Sequence, residues 1–132
     1  MKMSATILNK LEKNDARVQT NGDSRILIIP SKTSGYGSAV NGGELLLLAL
    51  ATCFCNDLYR EAGKKNIAVS EVEVTASAEY DEEGLPGKNF RYKVRVKAKA
   101  SPEQVRELIK HTDRIAEIHN TIRKGVEITL ED

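Results

Sequence analysis

Two cysteines and two histidines are the residues of this 132-residue chain best suited to nucleophilic or acid–base chemistry near neutral pH. Both cysteines, Cys53 and Cys55, lie in the run Gly42-Gly43-Glu44-Leu45-Leu46-Leu47-Leu48-Ala49-Leu50-Ala51-Thr52-Cys53-Phe54-Cys55. From Leu45 to Cys55 only Thr52 is polar, and a helix that is apolar all round is expected to be buried all round. Thiols there are either inert packing or the seat of redox or nucleophilic chemistry. Positions i and i+2 of a helix point about 200° apart, so the spacing opposes an internal disulfide. Cys-x-Cys also lacks the Cys-x2-Cys spacing of structural zinc sites, and no second pair follows. His111 and His119 would complete a Cys2His2 set, but no spacing demands it, so neither metal nor cofactor is expected. For Cys55 the favoured reading is a small buried hydrophobe. For Cys53, packing and reactivity remain level alternatives.

Two other features are weaker. Gly35-Tyr36-Gly37-Ser38-Ala39-Val40-Asn41-Gly42-Gly43 fails the G-x-G-x-x-G template at Val40 and lacks the Gly-Lys-Ser/Thr of a P-loop. It reads as a loop entering a helix, with an anion at that helix start as the alternative. His111 falls between two predicted helices and is expected to be exposed. His119 follows Ile118 on the last helix and reads as a surface histidine or an acid–base group. Neither G-x-S-x-G nor H-E-x-x-H occurs.

Local patterns give the secondary structure around these residues. Met3–Leu8, Ala16–Thr20 and Arg25–Ile29 read as short strands, the last two joined by the turn signal Asn21-Gly22-Asp23. Ser31–Val40 reads as a loop. Asn41 as N-cap with Glu44 at N3 predicts a capping box and a helix from there to about Ala62, stopping at Gly63. Two alternating strands follow. Val72, Val74, Ala76, Ala78 and Tyr80 alternate with Glu71, Glu73, Thr75, Ser77 and Glu79. Phe90, Tyr92, Val94, Val96, Ala98 and Ala100 alternate with Arg91, Lys93, Arg95, Lys97 and Lys99. An antiparallel hairpin sets the acidic row beside the basic one and absorbs most of the charge. Ser101-Pro102-Glu103-Gln104 starts a helix striped by Val105, Leu108 and Ile109. A second helix is expected from near Thr112-Asp113 to Gly125, lined by Ile115, Ile118 and Ile122, and then a strand over Val126–Leu130. This order is α+β with antiparallel pairing, in one domain over residues 1–132.

Composition excludes several classes. Twenty basic residues against 19 acidic leave a net charge of +1, which predicts no general attraction to nucleic acid or anionic membrane. The run from Leu45 is shorter than the roughly 20 residues needed to span a bilayer. Met1-Lys2-Met3-Ser4 is not followed by an apolar stretch, so no secretory signal is read and a reducing, cytoplasmic setting is expected.

From Gly43 to Cys53 the chain resembles the OsmC/Ohr family, the osmotically inducible and organic hydroperoxide resistance proteins. Their central helix carries a pattern like E-L-L-x-x-A-L-A-x-C-F, matched by Glu44-Leu45-Leu46 and Ala49-Leu50-Ala51-Thr52-Cys53-Phe54. The resemblance continues through Ile67-Ala68-Val69, Ile115-Ala116-Glu117-Ile118-His119-Asn120 and the final Val-Glu-Ile-Thr-Leu. It implies an intertwined homodimer with antiparallel sheets around long central helices. In its peroxidase members a low-pKa thiolate attacks the peroxide, and a second cysteine on the C-terminal helix closes a disulfide. Cys53 matches the first cysteine, whereas Ala116 stands where the second would be. The polarising glutamate of the family falls near Gly43, which makes Glu44 the nearest candidate. Arg17 and Arg25 are candidates for the supporting arginine. Arg60, about 10 Å along the helix from Cys53, is too far for direct contact.

The resemblance therefore implies a one-Cys thiol peroxidase acting on organic hydroperoxides, with Cys53, Glu44 and His119 as site residues. The alternative is a dimeric, non-catalytic binding protein for a small hydrophobic or electrophilic ligand.

Overall fold

A computed structural model describes all residues, Met1–Asp132. The chain divides into two compact units, Met1–Leu45 and Leu46–Asp132. The first is a three-stranded antiparallel meander of β1 (Met3–Lys10), β2 (Lys13–Thr20) and β3 (Asp23–Leu27). Asn21 and Gly22 both have positive φ, 49° and 90°, the conformation that an Asn-Gly hairpin turn requires. The segment after β3 is tied to the sheet rather than free. Asn9 receives the Gly37 N–H on Oδ1 at 2.9 Å, and Asn14 Nδ2 donates to Ser38 Oγ at 2.8 Å. The Gly37 N–H is thereby committed to Asn9. Ala16 is the one buried hydrophobic residue of this unit.

Helix α1 (Gly42–Lys64) opens on the expected capping box. Asn41 Oδ1 accepts the Glu44 N–H at 2.8 Å, and Glu44 Oε1 accepts the Asn41 N–H at 3.0 Å. The helix does not stop at Gly63. It continues to Lys64 and closes on Asn66, whose φ is 55°. The Ile67 N–H reaches Ala62 O and the Asn66 N–H reaches Gly63 O, the paired bonds of a Schellman cap. Asparagine tolerates the left-handed conformation well enough to take the place expected of glycine.

The second unit packs the rest of α1 with a hairpin of β4 (Val69–Glu79) and β5 (Lys88–Ala98), and with α2 (Pro102–Ile115) and α3 (Glu117–Lys124). The hairpin register is the one that charge favours: Glu71 faces Lys97, Glu73 faces Arg95, and Val72 and Val74 face Val96 and Val94. Phe54, Leu58, Ala62, Leu108 and Ala116 form the core, covered by the hairpin's apolar face. Ser101 caps α2 through a full capping box with Gln104.

Three expectations are corrected here. The break between the last helices lies at Ala116, in extended backbone, rather than near Thr112-Asp113. Thr112 is buried and bonds Leu108 O within α2, so it does not act as a cap. Val126–Leu130 forms no paired strand, and Ile128 and Leu130 are 92% and 96% exposed. An extended segment needs a neighbour for its backbone bonds, and this chain provides none there. Finally, α1 is not buried all round. Its buried stripe is Leu50, Phe54, Asp57, Leu58, Glu61 and Ala62, whereas Leu48, Thr52, Asn56 and Tyr59 are exposed. One hairpin and two helices cover only one side of it.

Leu108 lies fully buried at the centre of this packing. Leu108→Ala is expected to cost about 2–5 kcal/mol of stability, read from urea unfolding of the two proteins.

Candidate functional site

The thiol of Cys53 has a polar neighbourhood made largely by its own helix. Residues four apart on a helix share a face. Cys53 Sγ donates to Asp57 Oδ2 at 3.6 Å, and Asp57 Oδ1 accepts from Arg60 Nη1 at 2.9 Å. Arg60 Nε reaches Glu61 Oε2 at 3.0 Å, Lys64 Nζ meets the same oxygen at 2.9 Å, and His111 Nε2 lies 2.8 Å from Glu61 Oε1. A continuous chain of polar contacts thus runs from the thiol to α2. Asp57 and Glu61 are 6% and 5% exposed, and buried carboxylates persist only when paired. The bonds from Lys64, His111 and Arg60 hold the Glu61 carboxyl at about 2, well below its ordinary 4.5.

The break at Ala116 gives α3 a free N-terminus, with no side-chain cap. From it the Ile118 backbone N–H acts on the Cys53 sulfur in the direction that favours the thiolate. The balance nevertheless goes the other way. Burial pushes the thiol above its ordinary range, the Ile118 N–H pulls it back, and the charges of Asp57 and Glu117 add to the rise. In the isolated chain the surroundings of Cys53 thus disfavour its ionisation. Both cysteines are free and partly buried.

His119 is buried, not on the surface. Its ring packs on Tyr92 with centroids 4.7 Å apart and on Phe54 at 5.9 Å. Neither ring nitrogen has a hydrogen-bond partner, so no bond joins His119 to Cys53. An unsatisfied imidazole N–H costs about 1–3 kcal/mol. Burial first, and then the nearby Arg123, lower the His119 pKa and keep the ring neutral. The ring lines a cleft of about 140 Å³ together with Leu50, Phe90, Tyr92, Ile122 and Arg123. Tyr92 Oη donates to Asp113, which also accepts from Arg123 Nη2 at 2.6 Å. A larger open cleft of about 510 Å³ lies between β5 and α2, with Lys93, Lys110 and Arg114 at its rim.

The other candidates take other places. Glu44 is engaged in the helix cap in the first unit. Arg17 and Arg25 are exposed on β2 and β3, and the register puts them on opposite faces of that sheet. His111, expected to be exposed, is half-buried against Glu61. Asp57 was not among the candidates, although the signal was present: it is an acid at i+4 from Cys53 inside an apolar helix. Arg60 is out of reach of the thiol by itself, as its spacing implies, and connects to it through Asp57. No group of three or more His, Cys, Asp or Glu side chains is placed to hold a metal, and no helix is long and apolar enough to cross a membrane.

Two pH effects follow. The His119 pKa is lower folded than its unfolded 6.5, so the unfolded chain binds more protons and stability falls as pH drops through 6.5. Thermal melts from pH 7.5 to 5 should show this loss, and His119→Phe should flatten it. Glu61 contributes stability that is lost between about pH 4.5 and about 2. Glu61→Gln should lower stability at pH 7 and remove that part of the acid limb.

Residues 35–131 match the OsmC family model, described as OsmC-like protein. The structure is similar to the crystal structure of an OsmC-like protein from Mycoplasma pneumoniae, with TM-score 0.61 and 20% identity over 95% of this chain and 87% of that one. It is also similar to the organic hydroperoxide resistance protein OhrB of Bacillus subtilis, with TM-score 0.57 and 20% identity over 99% and 97% of the two chains. An OsmC-like hydroperoxide resistance protein from Jannaschia sp. CCS1 gives TM-score 0.58 and 14% identity over 96% and 87%. At these identities the likeness is one of fold. No curated protein sequence matches the chain.

Proposed function

This chain belongs to the OsmC-like protein family, and from that premise we propose that it handles organic hydroperoxides, with Cys53 as the thiol that meets the peroxide. The observation that carries this reading is the setting of Cys53. It sits in mid-helix against a buried, ion-paired carboxylate on one side and the free N-terminus of α3 on the other. Cys55 has no comparable polar partner among the hydrogen bonds of the structure, which fits a packing role.

The chemistry is that of a one-Cys enzyme. The Cys53 thiolate attacks a peroxide oxygen and the O–O bond breaks. The sulfur is oxidised by two electrons to a sulfenic acid, and the hydroperoxide leaves as an alcohol after taking up a proton. Ala116 occupies the place of the family's second cysteine, so the reductant is external. One low-molecular-weight thiol condenses with the sulfenic acid, releasing water, and a second thiol reduces the mixed disulfide. His119 stands one helical turn beyond Ala116 and packs on Phe54, next to the thiol in sequence. Its role in this reading is to shape the neighbourhood, since it has no bond to sulfur. The test is consumption of cumene hydroperoxide with a dithiol reductant. Cys53→Ser should abolish turnover and Cys55→Ser should retain it. Loss of both activities, or of neither, would overturn the assignment.

The raised thiol pKa and the absent second cysteine favour one other reading, a binding protein for a small hydrophobic or electrophilic ligand. Slow, stoichiometric modification of Cys53 without turnover would decide for it.

The working form in either reading is a homodimer. Leu48 and Tyr59 on the open side of α1, and the unpaired row Val126, Ile128 and Leu130, leave large apolar side chains exposed. A second copy supplies both a cover for α1 and a strand partner for the C-terminal segment. Sedimentation should show a dimer at micromolar concentration, and the double variant Ile128→Lys, Leu130→Lys should shift it towards monomer.

A further inference from the structure

We propose that Asp57 is a positioning residue for Cys53: its carboxylate, anchored by Arg60, takes the Sγ–H hydrogen bond and sets how readily the thiol gives up its proton. This rests on Cys53 being the reactive thiol. It adds a control element contributed by the same helix, two turns from cysteine to arginine.

The geometry supports a built arrangement. One carboxylate oxygen of Asp57 receives the thiol at 3.6 Å and the other receives Arg60 Nη1 at 2.9 Å. With both oxygens occupied and the residue 6% exposed, the carboxylate has little freedom to turn away. An anion at this distance disfavours a second negative charge on sulfur. The same bond fixes the direction of the S–H. Arg60 offsets part of the Asp57 charge, and its own side chain is 44% exposed, so solvent weakens that offset.

The groups facing the thiol from α3 are Glu117, of like charge to Asp57, and the Ile118 N–H, which opposes both. Asp57 also acts on His119, favouring its protonated form. The resting thiol is thus held as S–H first by burial and then by the carboxylate on α1, with a smaller push from the exposed Glu117 on α3, against a single backbone donor. Neutralising Asp57 tips that balance towards thiolate, and removing Arg60 tips it the other way. A thiol held in this manner resists indiscriminate oxidation.

The test is the pH profile of Cys53 alkylation by iodoacetamide in a Cys55→Ser background, read by intact mass. Asp57→Asn keeps the shape and an acceptor oxygen but removes the charge. It is expected to move the profile to lower pH and to raise the rate at pH 7.5 about tenfold, the equivalent of one pKa unit. Arg60→Gln is expected to move the profile to higher pH and to slow alkylation several-fold. General loosening of the helix would speed both variants, so opposite shifts mark the charge effect. An unchanged or slower Asp57→Asn protein overturns the proposal, as do shifts of the same sign. Should Asp57→Asn fail to fold, the partly exposed Arg60 still decides the matter, because an unshifted or faster Arg60→Gln protein overturns it. Alkylation uses no peroxide, so a protein inactive towards cumene hydroperoxide can still show the opposite shifts. Equally, a peroxide-active protein can lack them.

Discussion

The second unit depends on the single stripe that α1 buries. Leu50, Phe54, Leu58 and Ala62 enter the apolar core, and Asp57 and Glu61 lie in the same stripe. Two carboxylates cannot be taken out of water beside phenylalanine and leucine unless they are paired. That constraint accounts for the polar architecture around them. Arg60 bridges the two acids, Lys64 and His111 complete Glu61, and the Cys53 thiol fills the remaining oxygen of Asp57. The apolar members of the stripe hold the hairpin and α2 in place, and the acids dictate which basic side chains must lie over them.

The chemistry of the thiol follows from the same packing. Burial and the Asp57 charge push it away from ionisation, while the end of α3 draws it towards ionisation. That end exists because Ala116 leaves the helical conformation, with ψ at 109°, and restarts the chain as α3. Ala116 is itself fully buried, so the joint from which α3 starts is fixed inside the core. The setting of Cys53 is made by burial, one carboxylate hydrogen bond and nearby charge.

Much of the architecture was legible because it is written in local patterns. The Asn41–Glu44 and Ser101–Gln104 capping boxes, the Asn21-Gly22 turn, the Gly125 cap and the alternating charge rows of β4 and β5 each require only a few residues to agree. The misread positions depend on packing and pairing that a short motif does not specify. Gly63 has the composition of a helix stop, yet Asn66 stops the helix where Ile67 turns inward. Thr112 looks like a cap until Leu108 O takes its hydroxyl. Val126–Leu130 alternates like a strand but has no neighbouring strand within one chain.

The sequence by itself determined the α+β order, the family resemblance and the identity of Cys53 as the thiol to follow, because periodicity, caps and short motifs are properties of neighbouring residues. The burial of that thiol and its neighbours from other elements came from packing. Helix spacing already sets Asp57 at i+4 on the thiol's face, and packing adds the burial of that face and the approach of α3. His119 is likewise buried without a partner because Phe54 and Tyr92 close over it. Desolvation and the Coulomb interactions that shift a pKa depend on distances between elements far apart in the chain, and residue order alone does not contain those distances.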